Sequence, residues 1–400
     1  MATLIEFFLL LPFLILGFVT ANSLLFRRNL TLQYFTFVLS LVPALTPGIS
    51  LLGNYSSYTL LNLHLQREDS IVTHAILIIC VFSLMILVPG KALFIRVLPN
   101  KLASITFGRQ VSYLMAGSCV LVALFLFERG TIFFSDYKSL FEAKSKYSSL
   151  YNQIFNIFAV FAISHFIKFK DAKRLRLFFL IIIFASLLVS RRTTSLGFIF
   201  LYFCLNSFGR LSMRNILILT VGGFGLWFVG EARNVGLLNY FNSDSLNERL
   251  LYYSMPGGGA NIFVSLLGVI DYLSAGVESV DFHVPMLQWF RGVIENDIYS
   301  DLGYDYNGGM HIAAIFYWNF GIIGVVFGGL FLGLIVTNIS RVFGSENGKF
   351  RLDLQISIAF VILLPNILWY HPIGFIKICV ALYFFAFFAR ILPLRPLVRS

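Results

Sequence analysis

Apolar residues in this chain come in runs. Stretches of about 18 or more recur from end to end, each long enough to cross roughly 30 Å of hydrocarbon as a helix. Polar and charged residues gather in the short segments between them. The runs predict helices near 4-26, 30-52, 71-90, 111-127, 151-167, 177-190, 194-208, 215-230, 312-337, 353-370 and 373-389. The expected fold is therefore all-α: a polytopic integral membrane protein of about eleven transmembrane helices, with residues 1-400 forming a single membrane domain. The first run has no basic leader and no small-residue cleavage site, so it reads as a retained helix. Runs 177-190 and 194-208 are short, which suits tilted helices or ones shielded by neighbours.

One interval breaks the rhythm. Residues 231-311 make a single long loop between two apolar runs, and a loop of that length usually carries function or structure of its own. Ten of the 19 acidic residues lie in it. Ser245 with Glu248 forms a helix-start signal. The glycine-rich break at 256-259 precedes an apolar stretch too short to cross comfortably, expected to lie on or dip into the outer interface. A second interfacial piece surrounds Trp289 and Arg291. The loop closes on "ENDIYSDLGYDYNGGMH" and the next apolar run begins at once.

Charge orients the runs. The formal net charge is +11. With the loop of Arg27 and Arg28 taken as cytoplasmic, alternation puts 19 basic and 3 acidic residues inside, against 10 basic and 16 acidic outside. That is the positive-inside asymmetry, with the N-terminus outside and the C-terminus cytoplasmic. The basic excess thus reflects topology, and nucleic acid is not an expected partner. Cys80, Cys119, Cys204 and Cys379 all fall inside apolar runs with no metal-ligand spacing, so no metal is expected and redox compartment is not indicated. There is no P-loop, no GxSxG and no HExxH. The glycines of "VGGFGLWFVG" lie within an apolar run, where they serve close helix packing.

Against this frame, Arg191 and Arg192 stand out. They occupy a tight turn on the outer side, "SRRTTS", where the positive-inside pattern disfavours them. Guanidinium groups hold phosphate oxygens in pairs and keep their charge when desolvated. Thr193, Thr194 and Ser195 add hydroxyl donors at the start of the next helix, whose N-terminus also attracts anions. The turn is a candidate diphosphate cradle; lipid headgroups are the plainer partner for the same arginines. Arg233 and Arg291 are candidates for the same ligand, or interfacial anchors. Glu295 and His311 are candidate general bases, with Asp297, Asp301 and Asp305 as further carboxylates. Tyr299, Tyr304, Tyr306, Trp289 and Trp318 are aromatic surfaces for a sugar ring, or an ordinary interfacial belt. His371 and Lys377, at and in the last run, are ionisable groups in an apolar setting.

The segment "DLGYDYNGGMHIAAIFYWNFGIIGVVFGGLFLGLIV" joins a polar loop ending in glycines to a run bearing Asn319, Phe320, Gly321 and Gly324. Together with the span number, the late external loop and "SRRTT", it resembles the C-terminal half of Wzy-type O-antigen polymerases. That resemblance implies a bacterial inner-membrane enzyme related in fold to lipid-carrier glycosyltransferases of GT-C-like architecture. It implies as substrate an oligosaccharide repeat unit linked to undecaprenyl diphosphate, used on the periplasmic face without nucleotide sugar, cofactor or metal. It makes Arg191 and Arg192 diphosphate ligands, with Arg233 and Arg291 as helpers, and a chain-length regulator an expected partner besides membrane lipids. A lipid-linked oligosaccharide flippase is the main alternative; its spans are expected to carry charge around an aqueous cavity, whereas here Lys377 stands nearly alone. An O-antigen ligase shares almost every feature above.

Overall fold

The computed structural model describes residues 32–52, 69–89, 113–121, 148–168, 171–188, 192–206, 259–274, 309–344 and 352–391. The expected runs at 4-26 and 215-230, and most of the 231-311 loop, lie outside them. Among the described residues the chain is helical throughout and no strand occurs.

In chain order the helices are α1 (Leu32–Leu52), α2 (Asp69–Leu87), α3 (Ser148–Lys168), α4 (Ala172–Leu188) and α5 (Arg192–Asn206). They continue with α6 (Gly259–Ser274), α7 (Ile312–Gly344), α8 (Leu352–Trp369) and α9 (Ile373–Ile391). Residues 113–121 form a further helical stretch. Most boundaries fall within a few residues of those expected. α4 begins earlier because Lys173, Arg174 and Arg176 extend its first turns with exposed side chains. There Arg174 pairs with Asp171 at 3.1 Å and lies over the Tyr113 ring, 4.9 Å from its centroid.

The helices are apolar on both inward and outward faces. The inner faces form one cluster that includes Phe82, Phe179, Phe198 and Ile163. Phe184, Phe327, Phe331, Phe384 and Phe387 point outward and are more than half exposed. A water-facing helix presents a polar stripe instead. By length and composition, Ile312–Phe343 and Leu352–Trp369 are each apolar enough to cross a membrane.

The first of these segments does not run straight. Gly321 has φ 59° and ψ −151°, a combination open essentially to glycine alone. A side-chain carbon added at Gly328 would stand 2.5 Å from the Phe316 ring, and one at Gly324 would collide with the Phe316 carbonyl oxygen. In a straight helix, residues 316 and 328 are about 18 Å apart along the axis. Contact between them requires the chain to double back. The stretch is therefore a helical hairpin, with a first arm at 312–320 and a second arm at 322–344.

Packing on α2 gives the same result. The Phe82 ring meets the His311 ring at 5.8 Å and the Phe316 ring at 6.1 Å. An added carbon at Gly329 would lie 2.5 Å from the Phe82 carbonyl oxygen. Both ends of the stretch from His311 to Gly329 thus meet one residue of α2. Tyr317 lies against His74, 5.6 Å between centroids, two turns back along α2. The first arm therefore runs antiparallel to α2. The second runs parallel to it: Gly329 faces Phe82 and Met85, Gly333 faces Ile86 and Pro89, and the Thr337 hydroxyl donates to the Pro89 carbonyl at 3.2 Å. Gln33 of α1 also reaches this end of α2, donating to the Pro89 carbonyl at 2.9 Å.

The hairpin rests on backbone geometry at one residue, which makes that residue testable. An L-residue forced into the Gly321 conformation costs about 1–3 kcal/mol. Gly321 has open space around it, so the cost is conformational and not steric. Gly321→Ala is expected to lower the melting temperature of the detergent-purified protein. Gly374→Ala, in open space within α9, is expected to leave it unchanged or raise it. Equal melting of wild type and Gly321→Ala contradicts the reversal.

Candidate functional site: a polar junction inside the bundle

A helix that starts inside a bundle leaves its first amides without partners. The first arm of α7 starts this way: Met310 and His311 are fully buried. Two of its amides are satisfied by one residue. The His311 Nδ1 accepts the Ala313 amide at 3.1 Å, and the His311 carbonyl accepts the Ala314 amide at 2.9 Å. His311 is thus the N-cap of the arm.

That bond also fixes the tautomer. With Nδ1 an acceptor, the neutral ring carries its proton on Nε2. Nε2 lies 3.2 Å from the Ser40 carbonyl oxygen, which accepts from it, and 3.3 Å from the Ser40 hydroxyl. The Ser83 hydroxyl donates to the Ser40 hydroxyl at 2.8 Å. Both ring nitrogens are occupied, and α1, α2 and α7 are joined through one histidine.

Two more helices close on the residues just before it. The Ser265 hydroxyl of α6 donates to the Gly309 carbonyl at 2.6 Å. Gly309 lies so close to Ile262, the Trp369 carbonyl and the Tyr370 ring that an added side-chain carbon would meet each at 3.2–3.3 Å. The Trp369 indole N–H in turn donates to the Leu39 carbonyl at 3.3 Å. The stretch Gly309–His311 is therefore a junction of α1, α2, α6 and α8. Ile262, Phe263, Leu266, Leu267, Val269 and Ile270 are all buried, so α6 dips into the bundle and packs on α1 and α2. It does not lie flat upon a surface.

Other candidates divide by position. Arg191, Arg233, Arg291 and Glu295 lie outside the described residues, as do Asp297, Asp301, Asp305, Tyr299, Tyr304, Tyr306 and Trp289. Arg192 is the first residue of α5. Near it, Thr194 and Ser195 are buried at 8% and 0% exposure, so the first turn of α5 is seated on the bundle. The α5 helix beyond it packs tightly on α8, because Gly197 lets the Ile362 carbonyl approach its backbone. Trp318 is buried and Lys377 is exposed on α9. The four cysteines are free thiols. Among the described residues, no group of histidines, cysteines and carboxylates is arranged to hold a metal ion.

The sequence marked His311 but gave no sign of Ser40, Ser83, Ser265 or Trp369. Single serines in apolar runs carry no spacing signal; only the assembled bundle brings them to one point. No family model, no curated protein and no solved structure matches this chain.

The junction has a steric test. Gly309→Val adds carbon where Ile262 and Tyr370 already stand, and such overpacking costs about 1–3 kcal/mol. Gly309→Val is expected to lower the midpoint of chemical denaturation. Ile262→Ala in the same protein is expected to return part of that loss, so that the two changes are not additive. Additive losses contradict the contact.

Proposed function

We propose that this protein polymerises oligosaccharide repeat units carried on undecaprenyl diphosphate, at the periplasmic face of a bacterial inner membrane. The observation that carries this reading is the "SRRTTS" turn. Two adjacent arginines directly precede Thr193, and Thr194 and Ser195 after it are buried at the start of α5. The first amides of a helix have no carbonyl one turn back to bond, and α5 begins at Arg192. Guanidinium groups beside such amides suit a diphosphate. The apolar outward faces of α4, α7 and α9 support an environment of lipid, from which an isoprenoid carrier enters laterally. The resemblance of the segment running into α7 to Wzy-type polymerases supplies the reaction class.

The reaction then follows from charge. The bond between the donor glycan's anomeric carbon and its diphosphate oxygen breaks, and that oxygen gains negative charge. Arg191 and Arg192, helped by Arg233 and Arg291, stabilise the departing diphosphate. The acceptor unit's hydroxyl oxygen forms the new glycosidic bond and gives its proton to a base, assigned to the Glu295 carboxylate. His311 has both ring nitrogens bonded within the bundle, so it is not assigned that proton. No cofactor is required by this scheme.

Gel analysis of surface lipopolysaccharide separates this reading from its rivals. A strain lacking the gene is expected to lose the ladder and keep core bearing one repeat unit. Core with no repeat overturns the polymerase reading: polymer left on the carrier then identifies a ligase, and its absence a flippase. In the complemented strain, the pair Arg191→Lys with Arg192→Lys keeps the charge but loses the planar fork. It is expected to shorten chains severely; a normal ladder contradicts the diphosphate role.

A further inference from the structure

We infer that His311 is a positioning residue: an uncharged N-cap and tether that fixes where the external loop re-enters the bundle. It is not the group that takes a proton from substrate. The inference stands on geometry. His311 is fully buried. Its Nδ1 is committed to the Ala313 amide and its Nε2 to Ser40, and its ring packs edge-on against Phe82. A general base needs a free lone pair facing the substrate. On His311 the lone pair is the one that caps the helix.

The placement explains why a histidine is used. A serine or aspartate at this position also caps a helix but ends within a short reach. The imidazole has a second nitrogen on the far side of the ring. One nitrogen ends the first arm of the hairpin while the other reaches α1. Ser40, held by Ser83 of α2, receives it. One uncharged side chain thus fixes both the start of the arm and its depth against α1 and α2. Gly309 and Met310, directly before it, are clamped by Ser265 and by the end of α8. Loss of the tether frees the arm and, with it, residues 309–311, where the loop of residues 231–311 ends. The effect on activity is indirect, through placement of that loop.

Asparagine separates positioning from chemistry, because its side-chain oxygen caps a helix and it takes up no proton near neutrality. Two readouts are made on the full-length protein: melting temperature after detergent purification, and ladder length in the complemented strain. The ladder readout rests on the proposed polymerase activity and the thermal readout does not. His311→Ala is expected to melt about 2–4 °C or more below wild type and to shorten the ladder. His311→Asn keeps the cap but loses the reach to Ser40, so it is expected to recover both in part and by similar proportions. Native melting of His311→Asn with no ladder overturns the inference, because the imidazole itself is then required. Unchanged melting of His311→Ala, or His311→Asn melting as low as His311→Ala, overturns the cap. If deleting the gene leaves the ladder intact, the polymerase reading fails, and the melting comparison still decides the cap.

Discussion

Every backbone amide and carbonyl that leaves water must find a partner, and the architecture here turns on one place where the helix cannot supply it. The first arm of α7 begins in the middle of the packed bundle, with Met310 and His311 wholly enclosed. An uncapped start at that depth costs about 1–3 kcal/mol for each orphaned group. His311 removes that cost with its own ring and carbonyl. Because the cap also holds Ser40, the same residue that permits a helix to start there decides where it sits. The hydroxyls of Ser40 and Ser83 beside it are bonded to the ring or to each other, which is what a low-dielectric interior demands.

From that anchor the chain must still leave. The first arm climbs beside α2 as far as Gly321, reverses, and returns along α2 as the second arm. Close approach of the two arms relies on Gly324 and Gly328, which lie against Phe316; close approach to α2 relies on Gly329 and Gly333. Two pairs of glycines at four-residue spacing therefore serve two different neighbours, one pair within the hairpin and one outside it. Aromatic residues fill the space the glycines leave: Phe316 stacks on Phe82 and Tyr317 meets His74. The outward side of the second arm carries Ile323, Phe327 and Phe331, an apolar ridge suited to lipid. A helix end in apolar surroundings is tolerated when protein encloses it, as it encloses the start of the first arm at His311.

The helices themselves were legible. Apolar runs bounded by Arg, Lys, Gly and Pro gave α1, α2, α8 and α9 nearly to the residue, since run length and composition are what hydropathy measures. The hairpin was not legible by that route. A hydropathy window over 312–337 sees an unbroken apolar run and has no access to direction, and the reversal resides in the φ angle of one glycine among several. A cue was present in "NFGIIGVVFGG": glycines at 321, 324 and 328 surround phenylalanines in a pattern that admits a tight turn as readily as a packing stripe. The depth of α6 was left open between lying on the interface and dipping into it, because run length does not distinguish a helix on a surface from one inserted among others. His311 was marked as chemically notable from its position after two glycines; its partners, Ser40 from α1 and the amide two residues on, belong to the assembled bundle. Arg191, Arg233, Arg291 and Glu295 lie in sequence outside the described residues, so their reading rests on residue type and the resemblance.

The central claim is that α7 doubles back, and a disulfide tests it most directly. In a protein whose four cysteines are replaced by serine, Phe316→Cys with Gly328→Cys places two thiols where a ring and a glycine now touch. Disulfides need side-chain carbons about 3.5–4.5 Å apart. The hairpin predicts an intrachain 316–328 crosslink on mild oxidation, found by non-reducing peptide mapping. A straight helix holds these positions about 18 Å apart, so absence of the crosslink in a folded protein, with both thiols titratable after denaturation, contradicts the account.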